Sequence, residues 1–138
     1  MIIITLGTSF IYRHIKLDLV VSNCHKIPAS EFERKRIPVE TIIDELEKII
    51  LTVHTINKKA RFIFTVSPIR HWKDGAIDNQ LSKSSLLLAI SEITKKYNFC
   101  RYFPSYEIMM DDLRDYRFYE NDLIHPNSAA IEYIWEKF

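Results

Sequence analysis

Glycine is scarce in this chain: among its 138 residues only Gly7 and Gly75 occur. That scarcity excludes glycine-rich linkers and phosphate-cradling glycine loops, and each glycine is expected to mark a backbone position with special demands. Cysteine is equally sparse. Cys24 and Cys100 stand far apart and in no Cys-x-x-Cys spacing, which argues against a disulfide framework or a zinc knuckle and fits a reducing compartment, the cytoplasm. Excess charge is missing too, since 19 basic residues face 18 acidic ones. A balance of +1 creates no long-range field for nucleic acid or an anionic membrane surface, so neither is expected as a partner. Finally, no long hydrophobic run is present. Met1 to Gly7 is apolar, but it has no basic leader and is too short for a signal-peptide core or a membrane span, so it reads as a strand.

What remains is a chain of 47% hydrophobic residues, enough for one domain with one core. Ile2 to Leu6 is a continuous apolar run closed by Gly7-Thr8-Ser9, as in a parallel strand covered on both faces. Phe10 to His14 and Leu17 to Val21 suit a short hairpin or an irregular excursion, with strand propensity in Leu19 to Ser22, and Pro28 stops regular structure. From Pro38, apolar residues at Ile42, Ile43, Leu46, Ile49, Ile50 and Val53 recur every three or four positions and predict an amphipathic helix ended by Asn57-Lys58-Lys59. Arg61 to Val66 reads as the next strand. Ile69 to Gln80 has no period and reads as a long loop, and a second helix is expected from about Ser82 to Tyr97. Cys100 to Phe103 gives a third strand, Pro104-Ser105 a short helix with Ile108, Met109 and Leu113 inward, and Ala130, Ile131, Ile134 and Trp135 a last helix.

Strands alternating with helices describe an α/β domain, a parallel sheet with helices on both faces. Sites in such sheets form where the strands end, at their carboxyl rim. Gly7-Thr8-Ser9, Ser67 to His71, Ser105 and the loop from Asp122 to His125 all fall there. In that last loop an aspartate stands three places before a histidine, and Pro126 biases His125 to an extended backbone at the mouth of the final helix. Asp122 can thus hold one imidazole nitrogen protonated while the other serves as a base, as in a Ser-His-Asp system. A helix cap is the plainer use of such an aspartate. Ser9, Ser67 and Ser105 lie on the same rim, yet none stands in a nucleophile-elbow setting, and each reads as a turn or cap serine. A metal site from Cys24, His25, His71 and His125 matches no zinc spacing, so neither metal nor cofactor is expected. Tyr116 to Tyr119 with Trp72 suit either a stacking platform for a sugar or packing under a loop.

Several blocks carry a resemblance. Asp122-Leu123-Ile124-His125-Pro126 resembles the last block of the SGNH, or GDSL-like, hydrolases. Phe64 to His71, Lys73-Asp74-Gly75, Asn79 to Lys83 and Phe103 to Tyr119 resemble the GSCFA-domain family of that superfamily, and Thr5 to Ser9 and Asn23 to Lys26 fit it as well. The resemblance implies an SGNH-like, flavodoxin-like three-layer domain and ester-hydrolase chemistry on a small acyl ester or acylated sugar, with Asp122 and His125 in catalysis. It places Gly7 and Thr8 where such enzymes bind the oxyanion, offers Asn23 as a substitute asparagine, and favours contact with a substrate carboxylate for Arg70 and His71, whose plainer use is to face solvent. The nucleophilic serine of the family lies in a Gly-Ser-Cys-Phe-Ala segment, which this sequence does not contain. The chain is therefore expected to correspond to the carboxyl-terminal part of the domain, without its N-terminal strands. Ile2 to Leu6 would then expose an edge open to self-association or to an N-terminal segment. The alternative to an esterase is a noncatalytic binding or assembly module on the same fold.

Overall fold

A computed structural model describes residues 1–21, 23–24 and 26–138. Of the segments singled out in the sequence, Ser22 at the end of the strand-prone run and His25 lie outside the described residues.

Three parallel strands, β1 (Ile2–Leu6), β5 (Phe62–Val66) and β6 (Cys100–Phe103), form the main sheet in the order β1-β5-β6. Their register sets Ile4 beside Phe64 and Phe64 beside Tyr102. The two long crossovers are α1 (Val39–Ile56) and α2 (Gly75–Lys96). Both step the same way across the sheet, so right-handed connections put both on one face. There Ile42, Leu46 and Ile50 of α1 and Leu86, Ala89, Ile90 and Ile93 of α2 close over Phe62, Phe64 and Val66 to make the core. Each such large side chain stabilises the fold by about 1.5–3 kcal/mol through burial. The opposite face meets the C-terminal elements, α3 (Ser105–Glu107), which runs on into a π-helical turn over Ile108–Asp112, and α4 (Ser128–Lys137). Thr65 there hydrogen-bonds Ser105, and Phe103 meets Phe138 edge to face. The expected α/β architecture, a parallel sheet with helices on both faces, is what the chain forms.

Four departures have physical reasons. β1 is covered on one face only: Ile2, Ile4 and Leu6 pack on the core while Ile3 is 48% exposed. Its run matches a doubly covered strand because the outward Ile3 is as apolar as the inward Ile2 and Ile4, and Thr5 is β-branched like them. Second, β2 (Phe10–His14) and β3 (Leu19–Val21) do form a hairpin, but an unforeseen strand, β4 (Phe32–Arg36), pairs with the other side of β2. Four of the five β4 residues are charged, and the inward position between Phe32 and Arg36 is filled by Arg34 rather than an apolar residue. Third, α2 begins at Gly75, not near Ser82. A 3-10 turn over Trp72–Asp74 leads into it through Gly75, whose φ of 76° is natural to glycine and strained for other residues. Its early turns escaped the periodicity because they bury Asn79, Ser82 and Lys83. Fourth, in α4 only Ala130 is fully buried, whereas Trp135 is 71% exposed.

Candidate functional site

The carboxyl ends of β1 and β5 are tied by the Ser67 amide donating to Leu6 O at 2.9 Å, which brings the Gly7 and Ser67 loops side by side. Beneath them the polar stripe of α2 supplies the fastening. Lys83 is 0% exposed, and its Nζ donates to Gly7 O and to Ser67 O, each at 2.7 Å. Burial pushes this ammonium down to about 8, while the two carbonyl dipoles act in the opposite sense. Ser82 Oγ accepts from the Ser9 amide at 2.7 Å and from Ser9 Oγ at 3.1 Å, which leaves its own proton for Thr8 Oγ1 at 3.0 Å. One turn earlier, Asn79 Oδ1 accepts from the His71 amide at 2.9 Å.

His71 is packed against Gly7 so closely that a Cβ on Gly7 would come 3.4 Å from His71 Nε2. Burial lowers the pKa of this imidazole, and the neighbouring Lys83 charge lowers it further. Thr8 and His71 then line a cavity of about 490 Å³ whose other walls include Phe10, Tyr12, Arg34 and Lys73. The small antiparallel sheet forms that wall because Arg34 pairs with the buried Asp74 carboxylate and lies over the Phe10 ring at 4.3 Å. Lys73 Nζ donates to Tyr12 Oη at 3.1 Å across the same opening.

The second group is the loop around Asp122. An isolated bridge between Tyr119 and Pro126 closes its neck, and the Glu120 amide donates to His125 O at 2.8 Å. Inside, Asp122 Oδ1 accepts from the amides of Ile124 at 2.8 Å and His125 at 2.9 Å, while Oδ2 lies 2.6 Å from His125 Nδ1. These contacts, led by the His125 amide and then its ring, hold the Asp122 carboxyl down to about 2. Leu123 takes a left-handed φ of 58° to make the turn, an uncommon conformation for a branched residue. Asn127 caps α4 by accepting from the Ala130 amide at 3.1 Å. The side chains of Asp122 and His125 stay 45% and 56% exposed. Asp122 also lines a cavity of about 200 Å³ with Arg70, Trp72 and Tyr116.

The fold therefore sets Thr8 and His71 at one opening, with Gly7 against His71, and Arg70 and Asp122 at another, with His125 held by Asp122. No hydrogen bond or ion pair among the described residues joins the Asp122–His125 pair to Gly7, Thr8 or His71. Asn23 is exposed in the loop after β3 and lines neither cavity. Each rim serine is engaged elsewhere: Ser9 with Ser82, Ser67 Oγ with the Ile69 amide, and Ser105 with Thr65 and Val66 O. Among the described residues no three His, Cys, Asp or Glu side chains gather as metal ligands, and His25 is not one of those described. Among the described residues no helix is long and apolar enough to cross a membrane. Sequence reasoning missed Ser82, Lys83 and Arg34 as organisers of the rim. A signal for the first two existed: Asn79, Ser82 and Lys83 extend the apolar stripe of Leu86, Ile90 and Ile93 backwards at the same three- and four-residue spacing.

Compared with known proteins, the chain matches the model of the GSCFA family over residues 1–138. No curated protein and no solved structure matches it.

Proposed function

The chain belongs to the GSCFA family, and on that footing we propose that it supplies the acid and base half of an SGNH-type serine esterase acting on a small acyl ester, carried on a carbohydrate. The observation that carries this reading is the Asp122 Oδ2 to His125 Nδ1 contact of 2.6 Å. With Nδ1–H donated to the carboxylate, Nε2 is left as the proton acceptor, and the anchored carboxylate stabilises the imidazolium once it forms. Two backbone amides hold Asp122 in place before any substrate arrives, so the pair is set without help from the ligand. Gly7, Thr8 and Asn23 are proposed for the oxyanion side, and Arg70 and His71 for substrate contact.

In this reading the nucleophile comes from a Gly-Ser-Cys-Phe-Ala segment, since no such segment stands in the sequence and Ser9, Ser67 and Ser105 are bonded elsewhere. That segment belongs beside the open edge of β1, where a second copy is the other possible neighbour. The deciding experiment translates the DNA directly upstream, joins to the chain any Gly-Ser-Cys-Phe-Ala segment found there, and measures hydrolysis of p-nitrophenyl acetate. Expected is background hydrolysis by the chain alone and turnover by the joined protein that disappears in His125→Ala. Turnover unaffected by His125→Ala would remove the pair from the reaction. Hydrolysis by the chain alone that vanished in Ser9→Ala or Ser67→Ala would relocate the nucleophile. The second reading, a noncatalytic binding module, draws on the engagement of every rim serine away from His125, and inactivity of the joined protein would favour it.

A further inference from the structure

Arg70 is a half-buried guanidinium without an anion. Among the described residues no carboxylate lies within ion-pair distance of it, no protein acceptor takes a hydrogen bond from it, and its Nε is buried without a partner. Arg13 and Arg34, also half-buried, sit on Asp18 and Asp74. A guanidinium cannot shed its charge to escape burial, so the buried side of an unpaired one favours an anion that comes to it. The rings of Tyr119 and Trp72, 5.1 and 5.8 Å from Arg70 Cζ, fix its position but carry no net charge.

Arg70 also closes one end of a cavity of about 210 Å³ whose body is Met109, Met110, Leu113, Tyr116 and Tyr119. That volume exceeds the roughly 150 Å³ that admits a benzene ring. The cation stands where a ligand's head would lie, and thioether, aliphatic and aromatic side chains surround the space for its tail. The charges nearby select among anions. Arg114, on the same wall, is already paired with Asp111 at 3.0 Å, and Asp115, which also lines the cavity, is paired with Arg117 at 3.5 Å, while the Asp122 carboxylate lines the neighbouring cavity together with Arg70. A doubly charged phosphate would meet one free cation with the Asp122 carboxylate in the adjoining space, whereas a planar monoanion matches a single guanidinium fork.

We propose that Arg70 and the Met109–Tyr119 cavity form a binding site for an organic monocarboxylate with an apolar or aromatic tail. The proposal rests on reading this rim as a substrate site, and it gives that substrate a class: an ester of which one half carries a free carboxylate on an apolar body.

The test is equilibrium binding to the chain as it stands, by calorimetry and by amide chemical shifts, with phenylacetate and its neutral isostere 2-phenylacetamide as probes. Phenylacetate is expected to saturate the site and to bind about tenfold more tightly than the amide, the usual worth of one charge-assisted pair. Arg70→Gln is expected to erase that preference while leaving shifts remote from the cavity unchanged. Met110→Trp, which fills the cavity, is expected to weaken both probes. Equal binding of acid and amide by the unaltered chain would overturn the proposal, as would a preference that survives Arg70→Gln or the absence of saturable phenylacetate binding. Inorganic phosphate binding as tightly as phenylacetate would overturn the carboxylate selection. Because nothing here depends on turnover, an inactive esterase with intact carboxylate binding, or an active one without it, separates the two failures.

Discussion

The two halves of the rim are built by opposite means. The Asp122 loop makes its contacts within itself, between residues two and three positions apart, and remains exposed. The Gly7 and Ser67 loops are held from below by Lys83 and Ser82, which stand 76 and 73 positions from Gly7 and Ser9, and are buried. A local device survives as a motif that can be read from spacing, and it depends little on the surrounding fold. A nonlocal one is invisible until the chain has folded, and its loss is felt by the fold.

The contrast predicts where damage falls. Lys83→Met should be the most costly change, because two half-buried carbonyls lose their donor, at about 2–4 kcal/mol of stability by denaturant unfolding. Lys83 also adds a pH signature. Its folded value near 8 lies below the ordinary 10.5, so the native state binds fewer protons than the unfolded one between those values. Stability should therefore climb with pH across that interval relative to Lys83→Met. A neutral Lys83→Met would show that burying the charge cancels its bonds, and the comparison would fail. Ser82→Ala comes next, stranding the Ser9 amide and two hydroxyls at about 1–3 kcal/mol by the same measurement.

Smaller effects mark the remaining sites. The His71 ring should titrate below 6.5 by NMR, and the stability it contributes is present above that value and falls as pH drops below it. A midpoint above 6.5 would mean that neither burial nor the Lys83 charge governs the ring. Asp122→Asn should change the unfolding midpoint least, since an amide oxygen can still accept from the Ile124 and His125 amides, while the His125 ring resonances shift. In the unaltered chain, whatever stability the Asp122 charge lends is full above about 3.8 and lost as pH falls toward about 2. A large loss of stability in Asp122→Asn would show that the loop is not the independent device described.

The same division explains what was legible beforehand. α1 was readable from its three- and four-residue apolar spacing, β5 and β6 as short apolar and aromatic runs closed by Ser67-Pro68 and Pro104, and Asp122 with His125 because their relation is one of spacing. β4 was not, since an inward Arg34 matched to Asp74 forty positions away breaks the apolar alternation that marks a strand. The start of α2 was hidden for the same reason: its buried face is polar, and a buried lysine looks like a solvent-facing one until its acceptors are known. Arg70 and His71 stand out in the sequence through family resemblance, yet that Arg70 has no anion among the described residues and His71 lies on Gly7 are facts of packing alone.

The closed neck between Tyr119 and Pro126 has a consequence for how the loop moves. The amides of Glu120, Leu123, Ile124 and His125 are all bonded within the loop, and that of Asn127 is bonded to Phe118 O. An outer loop of this kind should not fray residue by residue in hydrogen exchange. Its protected amides should open and close together, as a latch, with the histidine fixed to the moving part.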